Sequence, residues 1–263
     1  MSGGSIAKRW PEWALRANAV GVYVFLYLPI ALLVLYGFSD SRFSSVWGGF
    51  SVRWYAKLFE NENLLAALRN SLLLASISSL LATVLGTAAA LGISRLTRRM
   101  RGTMETFFYL PILVPDIVLA IALLAFFVLV LKLQLGLGTM ILAHVVFNLC
   151  YVSAVVTTRL RGFDHRMMEA ARDLGASPWT AFWRVKFPII WPGVLGGGLL
   201  AYAMSLDEFV ISFFVTGPGS STLPIEIFSM VKRGVTPEIN ALATLMLAGS
   251  VALASVSIFL QRK

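Results

Sequence analysis

The stretch EAARDLGASPWTAFWRVKFP (Glu169–Pro188) lies between two long apolar runs. It holds a charged helix-forming segment, a Gly-x-Ser-Pro turn and a cluster of aromatic residues. Local signals divide it into two helices. Asp164 can N-cap the first, and Gly175 is placed to stop it. Ser177 caps a second helix whose first residue is Pro178, where a missing N–H costs nothing. In the first helix Met167, Ala170, Ala171 and Leu174 follow the i, i+3, i+4, i+7 spacing and make one apolar stripe. Two alanines at its centre keep that face low. Glu169 points elsewhere, near Arg166 and Arg172. The second helix carries Trp179, Phe182 and Trp183 toward the next apolar run. A short helix with a flat face and charged flanks suits docking into a partner's groove. A basic amphipathic helix lying on anionic lipid fits the same residues, and the physics alone leaves both open.

Working outward, the 263 residues are 58% hydrophobic and only 13% charged, with mean hydropathy +0.79. A soluble domain carries roughly 25% charged residues, so the composition is that of a membrane protein. Six segments are long enough to cross a bilayer, which takes about 20 apolar residues: 19–38, 70–94, 106–131, 133–158, 187–206 and 239–260. The third contains one charge, Asp116, and the fifth stays apolar past Asp207 and Glu208 to about Val215. The first is too long for a signal-peptide core and is expected to be a retained helix. Cys150 is the only cysteine, so no intrachain disulfide forms.

The net charge of +9 does not point to nucleic acid, because the basic residues fall in short loops between apolar spans. With alternating sides, 15 Lys and Arg fall on one side (among them Lys8, Arg9, Arg95, Arg159, Arg172, Arg262 and Lys263) and 7 on the other (among them Arg53, Lys132 and Lys232). The richer side should be cytoplasmic. Both termini and the opening stretch are then inside. Along the second span Ser78, Ala82, Gly86, Ala90 and Ser94 recur every four residues, and the fifth span carries Gly193, Gly196, Gly197 and Gly198. Small residues let helix backbones approach closely, either within the chain or against a second membrane subunit.

Three acids accompany the spans: Asp116, Asp207 and Glu208. Intramembrane ionisable residues are costly and often mark function. As one straight helix from Thr106, the third span would put Asp116 about 15 Å in, near the midplane. Pro111 and Pro115 would free backbone carbonyls beside it. Carboxylates without compensating bases suit a cation carrying several amines and suit phosphate or sulfate badly. The competing role for Asp207 or Glu208 is a helix cap, or pairing with Arg53 or Lys232. A continuous helix from Phe187 to Val215 would span about 43 Å, more than a hydrocarbon core of about 30 Å. A break is therefore expected near Ser205–Glu208, with TGPGSSTLP (216–224) turning back toward the pathway.

No Gly-rich phosphate loop ending in Lys-Ser/Thr occurs, so the chain is not expected to bind or hydrolyse ATP itself. GPGSS (217–221) is a turn signal on the outer side, not a phosphate cradle. His144 and His165 lack metal-ligand spacing, so neither a metal, nor a cofactor, nor a catalytic residue is expected. His144 and Asn148, one turn apart, either line a pathway or satisfy interhelical hydrogen bonds; the second is favoured.

The opening loop resembles the signature of permease subunits of ABC importers. Glu169, Ala170, Ala171 and Gly175 match it, followed after nine residues by Val185, Lys186, Phe187 and Pro188, with Val and Phe at positions where the family has Ile and Leu. RWYAKLFEN (53–61), PDIVLAIALL (115–124), RLRGFDHRMMEAARDLGAS (159–177), SLDEFVISFFVTGPGSSTLPIEIFSMVKRGV (205–235) and PEINALATL (237–245) are similar to the spermidine/putrescine branch, near its second permease subunit. The resemblance implies an all-α membrane protein, with six transmembrane helices in the type I ABC importer fold forming a single permease domain over 1–263. It implies a cytoplasmic coupling helix between helices four and five, in a loop at about 159–188. Glu169, Ala170, Ala171, Gly175 and Pro188 would then engage the ATPase, while Asp116, Asp207 and Glu208 line a path for a small cationic substrate such as putrescine or spermidine. The implied partners are two copies of a cytoplasmic ABC ATPase, a second homologous permease forming a heterodimer, and an external solute-binding protein. The location would be the lipid bilayer of a bacterial inner membrane. Rival readings are an ABC permease for an aminophosphonate, another organocation or a metal complex; a stand-alone secondary transporter or channel; and a membrane anchor.

Overall fold

The computed structural model describes residues 12–43, 46–164, 166–234 and 236–261, without the side chains at 250 and 252–261. Lys8, Arg9, His165, Arg262 and Lys263, used above, lie outside the described residues. The regular elements described are helices, apart from one antiparallel bridge between Ser39 and Phe50. The chain divides into two compact units, residues 1–62 with 229–263, and residues 63–228.

In the first unit α1 (Glu12–Gly37) packs along α12 (Pro237–Gln261), and α2 (Arg53–Glu60) packs on α12 as well. Gly37 permits the approach, since a Cβ there would lie 3.0 Å from both Thr244 Oγ1 and Tyr55 Oη. The loop before α2 is held by Trp54, whose Nε1 donates to Ser39 O at 2.8 Å. Arg53 lies over the Trp54 ring and pairs with Asp40 at 3.3 Å.

The second unit holds α3 (Glu62–Ser94, from residue 63 on), α4 (Arg98–Leu113), α5 (Asp116–Ala125), α6 (Leu137–Arg161), α7 (Arg166–Asp173), α8 (Pro178–Ala181), α9 (Phe187–Asp207) and α10 (Val210–Val215). A π turn, Phe126–Val130, extends α5, and a second, Phe182–Lys186, fuses α8 to α9. Last comes α11 (Leu223–Arg233), which begins in this unit. One core joins α3, α6 and α9 through Ala82, Ala90, Val152, Val156, Ile190 and Ala201. The other joins α3, α5, α6 and α10 through Leu74, Leu123, Phe127, Met140, Phe147 and Ile211.

The small-residue stripe serves packing inside the chain. Ser78, Ala82, Gly86 and Ala90 are buried, and a Cβ on Gly86 would meet Leu149 O and Val152 Cβ at 2.9 Å. Gly193 sits under the Arg159 side chain, and Gly198 abuts Thr83. Close approach of this kind replaces the water-driven packing that a bilayer does not supply.

Among the described residues, four helical segments are long and apolar enough to cross a membrane: Glu12–Gly37, Glu62–Ser94, Leu137–Arg161 and Pro178–Asp207. A fifth is added if the bent pair Arg98–Leu113 and Asp116–Val130 counts as one. The remaining expected segment, 239–260, coincides with α12. The bent pair corrects the straight third span expected above, because its halves diverge by 101°. Val114 and Pro115 are both extended there, with ψ of 133° and 136°. A residue before proline is pushed out of the helical region, and Pro115 has no N–H to continue the ladder. Asp116 therefore opens α5 and does not sit partway along one rod, so the 15 Å depth does not apply. The fifth span breaks where expected: α9 ends at Asp207, and Glu208 is extended (φ −70°, ψ 107°).

Candidate translocation site and coupling loop

The loop folds as its local signals dictate. Asp164 Oδ1 accepts the Arg166 N–H at 2.9 Å at the start of α7. The helix ends in a Schellman arrangement, with Ala176 N–H on Ala171 O (3.0 Å) and Gly175 N–H on Arg172 O (2.8 Å). Gly175 takes φ +84°, with open space where a Cβ would project. Ser177 Oγ accepts the Thr180 N–H at 3.2 Å, and Pro178 is the first residue of α8.

This loop is anchored on one side and bare on the other. Trp179, Trp183, Phe187 and Trp191 contact in series, with ring centroids 5.6, 4.7 and 5.2 Å apart. Lys186 is buried, with its ammonium 5.7 Å from the Phe163 ring, a contact worth roughly 0.5–2 kcal/mol. Glu105 on α4 binds Arg101 and, across to the end of α6, Arg161, each at 3.0 Å. Away from these anchors Leu174 is 89% exposed, and Trp179, at the outer end of the aromatic series, is 71% exposed. Glu169, Ala170, Gly175 and Pro188 are exposed, and Ala171 is half-buried. The first four matched residues thus share one helix and its stop, while Pro188 stands apart in the first turn of α9.

Asp116, Asp207 and Glu208 come together, although Asp116 is some ninety residues from the other two. Asp116 and Asp207 both act electrostatically on Glu208. Asp116 and Glu208 also act on the Tyr151 hydroxyl of α6, a residue that sequence reasoning missed. Packing of α5 against α10 produces this gathering. Asp116 and Asp207 are exposed, and Glu208 is half-buried. The capping alternative holds for Glu208, whose Oε1 accepts the Ile211 N–H at 2.9 Å. Rings also collect here: Phe209 and Phe228 are 4.8 Å apart, and Phe147 and Tyr151 5.0 Å.

His144 is fully buried and meets Ser205 Oγ at 2.7 Å and Ser212 Oγ at 2.9 Å. Asn148 is equally buried but makes no side-chain hydrogen bond among the described residues, so the interhelical reading holds for the histidine alone. Interhelical side-chain bonds in membranes average about 0.6 kcal/mol. The histidine's bonds therefore matter more for geometry than for stability. The GPGSS turn closes on itself, Ser220 N–H to Gly217 O at 3.1 Å. Asn70 of α3 holds it through Gly219 O and Ser221 O, at 3.2 and 3.0 Å. No metal-holding group of three His, Cys, Asp or Glu occurs among the described residues.

Comparison with known proteins agrees with this architecture. The family model described as binding-protein-dependent transport system inner membrane component matches residues 82–262. The spermidine/putrescine transport system permease protein PotC of Haemophilus influenzae is 43% identical over 242 residues, which is 92% of this chain and 94% of that one. The putrescine transport system permease protein PotI of Escherichia coli is 42% identical over 232 residues, 86% and 82% of the two chains. In fold, the chain is similar to part of a bacterial ABC transporter involved in the import of the acidic polysaccharide alginate, with TM-score 0.71, 19% identity and 92% of each chain covered. A helical subunit with several apolar spans, an exposed helix–turn–helix between α6 and α9, and a match of this extent belongs to the family of inner-membrane permease components of binding-protein-dependent ABC transport systems.

Proposed function

We propose that the chain is a permease subunit of an ATP-driven polyamine importer, and that putrescine or spermidine passes along Asp116, Asp207 and Glu208. One observation carries this reading: Asp116 and Asp207 both act on Glu208, with Tyr151 close to Asp116 and Glu208, and none of the three carboxylates has a Lys or Arg ion-pair partner among the described residues. A polyvalent amine supplies the missing positive charges, and nearby aromatic faces attract ammonium groups. The names of the relatives point to the same solutes.

In this reading the chain is one permease domain of six spans, with the bent pair as the third and α12 as the sixth, and both termini are cytoplasmic. ATP hydrolysis belongs to two separate ATPase subunits. Glu169, Ala170, Ala171 and Gly175 dock on one of them, with Pro188 at the root of the next span. A second permease closes the pathway as a heterodimer, and an external binding protein delivers the solute. Mechanically, α8, the π turn and α9 form one helical segment from Pro178 to Asp207, 30 residues long and about 45 Å by helical rise. A push on the loop then travels along α9 to the break at Glu208.

The test is ATP-driven uptake of labelled putrescine by the complete complex in proteoliposomes. Asp116→Asn, and either Asp207→Asn or Glu208→Gln, should each lower uptake about tenfold or more, which is roughly 1.4 kcal/mol of lost stabilisation. Abundance of the assembled complex should not change. Normal putrescine uptake in all three neutral variants would overturn the cation pathway.

A further inference from the structure

His144 uses both ring nitrogens, on serines from the two sides of one break. Ser205 lies in the last turn of α9 and Ser212 in α10, and Ser205 Oγ is also 3.0 Å from Ser78 Oγ of α3. An unbroken helix would hold the two serines two turns apart, about 10.5 Å along its axis. Here the chain is interrupted between them and both hydroxyls face a single imidazole. A neutral imidazole has one donor and one acceptor. One serine therefore gives its proton to the ring while the other accepts the ring's N–H. All three side chains are buried, so no water competes for these bonds. Ile211 and Val215 seat α10 in the core shared with α3, α5 and α6. Glu208 caps α10 through Ile211, but a helix of six residues is too short to hold itself.

We propose that His144 is a positioning residue: it pins the two halves of the broken span and so fixes where Glu208 stands. This rests on the reading of Glu208 as part of the pathway, and the experiment separates the two. Hydrogen–deuterium exchange of the peptide 203–216 is followed in the assembled complex, alongside putrescine uptake. His144→Leu removes both bonds, and Ser212→Ala removes one. His144→Gln keeps a donor and an acceptor, as the imidazole does. Exchange in this peptide should quicken about tenfold in His144→Leu, less in Ser212→Ala, and stay near wild type in His144→Gln. Uptake turnover should fall about fivefold in His144→Leu and recover in His144→Gln, with KM changing less than turnover. A merely space-filling histidine would be replaced by leucine and not by glutamine, which is the opposite order. If His144→Leu fails to assemble, Ser212→Ala and His144→Gln still give the comparison. Wild-type exchange in Ser212→Ala, or glutamine no better than leucine, overturns the pin. Normal uptake in the carboxylate variants, with exchange still quickened in His144→Leu, leaves the pin standing and removes the pathway.

Discussion

Gly175 and Glu208 show how differently single residues can be constrained. At Gly175 nothing crowds a Cβ, and the only obstacle to substitution is φ +84°. An L-residue there costs roughly 1–2 kcal/mol, and asparagine less. Gly175→Val should thus re-aim α7 without unfolding the spans, lowering uptake per ATP hydrolysed, while Gly175→Asn should stay near wild type. ATPase and uptake rates of the same preparations check this, and normal coupling in the valine variant would count against the docking role. Glu208 is constrained by partners, since its carboxylate caps α10 through the Ile211 N–H. The two residues also differ in how legible they were. Gly175, Ser177 and Asp164 act through bonds a few residues long, so the sequence around them was enough. Tyr151 escaped notice because Asp116 acts on it only once α5 and α6 both pack on α10.

Among the elements, the bent α4–α5 pair and the glycine contacts make the same point about context. The apolar run from 106 to 131 reads as one span by composition, while Val114–Pro115 splits it. The proline rule was available, but Pro29 and Pro192 lie inside helices that continue. Proline alone therefore did not identify the break. The small-residue stripe was legible as a packing surface, yet its partner was not, because the spacing on α3 is the same whether α6 or another subunit lies against it. The observed contact predicts a contrast. Gly86→Val should drive a side chain into Leu149 and Val152, costing about 1–3 kcal/mol and lowering the melting temperature of the purified complex. Gly92, on the same helix with nothing within 4 Å, should gain roughly 0.5–1 kcal/mol as alanine. Equal thermal shifts in the two variants would contradict the packing described.

At the scale of the whole molecule, the distribution of Lys and Arg, 15 against 7, predicts cytoplasmic termini. A green fluorescent protein fused after Lys263 should fluoresce, and alkaline phosphatase fused after Lys132 should be active; the reverse pattern would invert the topology. Helical class and loop position were readable from hydropathy and caps, while the way distant spans meet was not. Biosynthesis feels that separation too. The serines that satisfy His144 come 61 and 68 residues later in the chain. At about 5–20 residues per second, a ribosome needs roughly 3–14 s to make them. For that interval a nascent α6 carries an unanswered imidazole beside Asn148, and it must be sheltered by the insertion machinery or by α3, which is already made.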